Sequence, residues 1–241
     1  MSASAIDNRV AALEARSISA GYGPRAVIYD IDIEVRPGEV VALLGANGAG
    51  KTTTLLALAG ELPTMSGEVA FDGIVTTAPL HIRARKGLTF VTEEKSVFKG
   101  LSTRDNLRVG GVDVDAALVL FPELERRLNV RGGLLSGGEQ QMLTLARALA
   151  RKPRVLLADE LSMGLAPLVV KRLLEAVRAA ANEQGTAVLL VEQHVRKALR
   201  YADRAYVMRR GRIELSGTAA DLASRIDAIE DQYLSTHATQ G

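Results

Sequence analysis

The chain has 241 residues, enough for one sizeable core with a second lobe or for two small domains, and its 47% hydrophobic and 24% charged residues are ordinary proportions for a globular protein. Its 30 basic and 28 acidic residues leave a formal charge of +2, too small a surplus to point to a polyanion partner; aromatics at 4%, with no Trp, argue against reading nucleic acid by base stacking. The absence of Cys excludes disulfides, thiolate metal sites and thiol nucleophiles, and no stretch reaches the ~18 apolar residues that span a bilayer.

Met1 to Ala12 carries Asp7 and no apolar run, so it does not read as a signal peptide. Leu13 to Ile18 and Val27 to Val35 read as strands, separated by the turn residues Gly21-Tyr22-Gly23-Pro24. Glu39 to Leu44 is a short apolar run typical of a buried strand; Gly45 to Gly50 forms a glycine-rich loop, and Lys51 to Leu58 suits a helix. Val69 to Phe71 and Leu88 to Val91 are further short strands. From Leu101 to Ala150 the pattern becomes helical, with helices expected over Ala116 to Leu128 and Gln140 to Ala150. Strands at Val155 to Ala158 and Ala187 to Val191 then alternate with helices at Pro167 to Ala181 and Val195 to Tyr201. Ala205 to Met208 and Ile213 to Leu215 are late strands, and a polar tail begins at Ser235. Such alternation predicts an α/β fold with a mainly parallel sheet.

Gly45-Ala46-Asn47-Gly48-Ala49-Gly50-Lys51-Thr52 fits the phosphate-loop spacing of Gly, four residues, then Gly-Lys-Ser/Thr. The glycines let backbone N–H groups close around phosphate oxygens at a helix N-terminus, whose dipole favours anions. Lys51 then reaches the β- and γ-phosphates and the Thr52 hydroxyl ligates Mg²⁺, with Thr53 in the same nucleotide-binding set. The fixed positions arise by chance about once in a hundred chains of this length, and the preceding buried strand and following helix narrow that further.

Val155-Leu156-Leu157-Ala158-Asp159-Glu160 is an apolar strand that ends in two carboxylates. A strand end alone explains charge there. Beside a phosphate loop, Asp159 can hold Mg²⁺ while Glu160 takes a proton from the attacking water. The two roles fall to different residues because a metal-bound carboxylate is a poor base.

Between these elements lies Leu135-Ser136-Gly137-Gly138-Glu139-Gln140-Gln141, which by itself is a turn and an acidic helix start. In this order the motifs resemble those of the ATP-binding cassette (ABC) ATPases, over about Leu13 to Leu234. The resemblance implies an α/β fold: a P-loop NTPase core with a mainly parallel sheet, an antiparallel β-subdomain near the N-terminus and a small, shortened helical lobe. It implies one ABC ATPase domain over 13–236, the lobe at about 95–150, and tails at 1–12 and 237–241. By the same resemblance, Ser136, Gly137 and Gly138 bind the γ-phosphate held by a second subunit, Tyr22 stacks on adenine, and His194 contacts the γ-phosphate. His81 and His237 match nothing in the pattern.

Val91-Thr92-Glu93-Glu94-Lys95-Ser96-Val97-Phe98, Glu160-Leu161-Ser162-Met163-Gly164-Leu165-Ala166-Pro167, Phe121-Pro122-Glu123-Leu124 and Gln232-Tyr233-Leu234 resemble the branch that serves uptake of branched-chain amino acids and related hydrophobic or amide solutes. Glu93 stands where most cassettes carry Gln; it keeps an oxygen for Mg²⁺ but has no amide donor. Thr92 and Leu161 replace prolines usual there, and the lobe between Glu93 and Leu135 is shorter than the branch's. The resemblance implies an ATPase that uses ATP and Mg²⁺. Its implied partners are a second cassette (self or sister), transmembrane permease subunits and, indirectly, a solute-binding protein. No nucleic acid is expected, and the implied location is peripheral, on the cytoplasmic face of the cell membrane. A DNA-repair type head is the alternative from another class, but no heptad coiled coil interrupts the chain. A regulatory cassette that binds without hydrolysing is the other, against which Glu160, His194 and Ser136-Gly137-Gly138 stand.

Overall fold

The computed structural model describes residues 10–229. The expected N-terminal reading of residues 1–9, the tail from Ser235, Gln232-Tyr233-Leu234 and His237 lie outside those residues.

The chain opens with a hairpin of β1 (Leu13–Tyr22) and β2 (Arg25–Val35), turned by Gly23 at φ 58° and Pro24. A glycine with positive φ at the first turn position matches the twist of the flanking strands. β1 also pairs antiparallel with β4 (Thr64–Phe71), which pairs with the two-residue β5 (Ile74–Val75), giving an antiparallel sheet of order β2-β1-β4-β5. β4 is longer than its apolar end Val69 to Phe71 suggests; backbone pairing with β1 recruits the polar Thr64 to Glu68.

The second sheet contains β3 (Val40–Leu44), β6 (Leu88–Val91), β7 (Val155–Asp159), β8 (Ala187–Glu192), β9 (Arg204–Arg209) and β10 (Arg212–Thr218), in the order β10-β9-β3-β8-β7-β6. All its pairings are parallel except β10 with β9, as the strand–helix alternation predicts. β3, β7 and β8 are buried throughout, and along β8 the side chains alternate between two cores. Val188 and Leu190 face the core beneath α5 (Gly137–Leu149) and α6 (Pro167–Gln184); Ala187, Leu189 and Val191 face the core shared with α1 (Lys51–Ala59) and the antiparallel sheet. Each such Val or Leu contributes about 1.5–3 kcal/mol by burial.

Sequence patterning missed α2 (Leu80–Arg85) and α3 (Thr103–Val109). Both are short and only partly apolar. α3 is set by its cap, where Ser102 Oγ accepts from the Asp105 N–H at 3.0 Å. The single helix expected over Ala116 to Leu128 is corrected: α4 spans Val114–Leu120, and Pro122–Arg127 is a 3₁₀ segment. Pro122 lacks an N–H and pushes Phe121 out of the helical region, to φ −135°. Beyond α6, α7 (Val195–Tyr201), α8 (Ala219–Ser224) and α9 (Ile226–Ile229) complete the described chain. No described helix is long and apolar enough to cross a membrane.

Candidate active site

The parallel sheet delivers the chemistry-bearing residues to one edge. Leu44 pairs with Glu192, Asp159 with Val191, and Val91 with Ala158, so the carboxyl ends of β3, β6, β7 and β8 emerge together. Open α/β sheets bind ligands at that edge. The loops that follow are Gly45–Gly50, Thr92–Glu94, Glu160–Ala166 and Gln193–His194.

β3 turns sharply at Gly45, where a β-carbon would lie 2.6 Å from the Met208 carbonyl oxygen. The loop closes at Gly50, which has φ 107° and no room for a side chain against Ile28. Gly50 is also the N-cap of α1, so no side chain bonds to the first-turn N–H groups of that helix. Lys51 is buried, its Nζ donating to the Gly45 and Ala46 carbonyls at 2.9 and 3.1 Å. Burial lowers the Lys51 pKa, while Glu160, Asp159 and Glu192 pull it back up.

Asn47, Gly48, Gly50, Lys51, Thr52 and Thr53 line a cleft of about 340 Å³, faced by Glu93, Glu160, Met163, Gln193 and Val27. Under it lies Asp159, whose side chain is hydrogen-bonded with Thr52 while its buried Oδ1 has no hydrogen-bond partner. Burial raises the Asp159 pKa, and the Thr52 hydrogen bond opposes that. Glu160 sits at φ 48°, a left-handed conformation that a non-glycine residue enters at a cost of about 1–3 kcal/mol. Its Oε2 accepts from Gln193 Nε2 at 2.7 Å, and its backbone N–H donates to the Val191 carbonyl at 3.0 Å.

The phosphate loop, Lys51, Thr52, Thr53, Glu93 and Glu160 therefore meet, with Asp159 beneath them. Tyr22, Ser136, Gly137, Gly138 and His194 do not line the cleft. Tyr22 is exposed at the end of β1. Ser136 caps α5 in a reciprocal box: its Oγ accepts from the Glu139 N–H at 3.3 Å, and Glu139 Oε2 accepts from the Ser136 N–H at 2.8 Å. That bond uses a lone pair of the hydroxyl, so its proton stays available to a partner. His194 is the exposed N-cap of α7, whereas its neighbour Gln193 forms the cleft wall. Gln193 and Met163 were not singled out in the sequence; Gln193, as the first polar residue past the β8 carboxylate, carried the only available signal.

A loop of this shape on a parallel sheet, with a buried lysine and a strand-end Asp-Glu pair, defines a P-loop nucleoside triphosphatase. The sequence profile of the ABC transporter family matches residues 28–162. The chain is 41% identical to BraG of Pseudomonas aeruginosa, a high-affinity branched-chain amino acid transport ATP-binding protein, over 90% of this chain and 97% of that one. It is 34% identical to the probable branched-chain amino acid transport ATP-binding protein LivF of Archaeoglobus fulgidus (85% and 91% covered), and 35% identical to the lipopolysaccharide export ATP-binding protein LptB of Escherichia coli (88% and 93%). Among solved structures, an ATP-binding subunit of an ABC transporter superposes with a TM-score of 0.76 at 28% identity, covering 89% of this chain and 93% of that one. A dimeric bacterial ABC transporter cassette shares the fold at a TM-score of 0.76 and 24% identity, with 86% and 98% covered. The chain belongs to the ABC transporter family, as an ATP-binding, ATP-hydrolysing subunit.

Proposed function

We propose that this chain energises the uptake of branched-chain amino acids, or chemically related small solutes, through separate permease subunits, from the cytoplasmic face of the membrane. The observation that carries the reading is the 41% identity with BraG along 97% of that protein's length, with LivF of the same named function second.

Within the cleft, Lys51 and the loop N–H groups hold the β- and γ-phosphates. Water attacks the γ-phosphorus, the bond to the β–γ bridging oxygen breaks, and Glu160 takes the proton from the water. Thr52, Asp159 and Glu93 supply oxygens for Mg²⁺; the buried, unpartnered Asp159 Oδ1 beside a hydroxyl suits a hard divalent cation. That ion, when bound, neutralises phosphate charge. Ser136, Gly137 and Gly138 of a second copy or sister cassette complete the cleft, and Tyr22 stacks on adenine. Ser136 and Gly137 are exposed and Gly138 half-buried, and all three lie outside their own chain's cleft, which supports action on a partner.

A groove of about 350 Å³ runs between α2, β6 and α5, lined by Leu88, Phe90, Arg85, Arg147 and Arg151. It joins the sheet to the helical lobe and is the seat we assign to the permease. The test is reconstitution with co-purified permeases and solute-binding protein in vesicles. ATP turnover rises when the binding protein carries leucine, isoleucine or valine. No response to these solutes, alongside a response to another solute class, contradicts the proposed substrate.

A further inference from the structure

Three consecutive residues at the end of β8 and just beyond it have different surroundings. Glu192 is buried, and its carboxylate accepts from Ser162 Oγ at 2.6 Å and from the Ser162 N–H at 3.2 Å. Gln193 is exposed, lines the nucleotide cleft, and donates its amide to Glu160 Oε2. His194 is exposed and off the cleft, and its carbonyl accepts the N–H groups of Lys197 and Ala198, opening α7. At a strand end successive side chains point in opposite directions. With Glu192 anchored inward by Ser162, Gln193 is aimed at the cleft and His194 is turned out of it.

We propose that Gln193, and not His194, is the residue of the β8–α7 turn that acts on the terminal phosphate and the attacking water. The proposal rests on the cleft being the hydrolytic site with Glu160 as base. A glutamine amide carries two N–H donors and one carbonyl acceptor. The donors can meet a γ-phosphate oxygen and Glu160; the acceptor can take the second hydrogen of the water whose other proton passes to Glu160. No bond to Gln193 forms or breaks. A glutamine that orients the attacking water is an established solution among other P-loop NTPases. Glu192 is a positioning residue: through Ser162 it ties the loop after β7, which carries Glu160, to the turn that carries Gln193.

The experiment compares Gln193→Ala, His194→Asn and Glu160→Gln in the purified chain, measuring ATP turnover and, separately, ATP affinity. Gln193→Ala is expected to lower turnover by about 10²-fold, the effect of removing one positioned donor, with affinity changed by less than about tenfold. His194→Asn is expected to stay within about twofold of the parent in both. Loss of turnover in His194→Asn, alone or together with Gln193→Ala, overturns the proposal. So does unchanged turnover in Gln193→Ala, or an affinity loss as large as its loss of turnover. A Glu160→Gln variant that hydrolyses ATP at the parent rate overturns the reading of the cleft itself, and the proposal with it.

Discussion

Lys51 Nζ lies 3.7 Å from Glu160 Oε1, with the two side chains only 4% and 12% exposed. The pair links the end of the phosphate loop to the end of β7. Under the proposed mechanism, an incoming γ-phosphate competes with Glu160 for the same ammonium, and binding frees the carboxylate for the water.

Lys51→Ala removes a cation from a cleft that also contains Glu160, with Glu93 at its wall and Asp159 beneath. Three carboxylates then face the triphosphate with no side-chain counter-charge. ATP affinity is expected to fall by about 10²-fold, the equivalent of a lost charge-assisted contact. Titration with a fluorescent nucleotide measures it, and parent-like affinity would remove Lys51 from the phosphate site.

Glu160→Gln keeps the shape of the side chain and its contact with Gln193 but cannot accept a proton at neutral pH. ATP binding is expected to persist while turnover falls by about 10²–10⁴-fold. Steady-state phosphate release, with binding measured in parallel, separates the two effects.

Glu192 gives a pH dependence of stability. Burial raises its pKa from the ordinary 4.5, the hydrogen bonds from Ser162 pull it down, and Glu160 adds a further upward push. The folded chain therefore holds this proton more tightly than the unfolded one. As pH climbs from 4.5 towards the raised value, the unfolded state releases the proton first and stability declines. Glu192→Gln deletes this contribution, so the thermal midpoint of the variant gains on the parent's as pH rises through that window. A difference between the two midpoints that is flat with pH would sink the assignment.

The sheet and the loop ends were legible because β3, β7 and β8 are short, wholly apolar runs that stop at Gly45, Asp159 and Glu192, where buried backbone must meet polar chemistry. The helical lobe was less legible. α3 depends on the cap at Ser102 more than on apolar periodicity, and Pro122 divides a stretch whose periodicity alone continues through it. At the site, spacing located Lys51, Thr52 and Glu160. The Gln193–His194 order was not readable from a motif, because the turn after β8 fixes which side chain enters the cleft. That turn is set by the buried contact between Glu192 and Ser162, residues 30 apart in sequence.

Ser136 at the head of α5 and Asn47 at the rim of the cleft belong, in this account, to one nucleotide site built from two chains. The chain has no Cys, so two populations can each carry one thiol, Asn47→Cys in one and Ser136→Cys in the other, both with Glu160→Gln to hold ATP. After mixing with ATP and Mg²⁺ and treatment with a short thiol-specific cross-linker, the account predicts a covalent dimer of the two chains that does not form without nucleotide. Absence of that dimer at saturating ATP, or equal yield with and without ATP, would contradict a shared site.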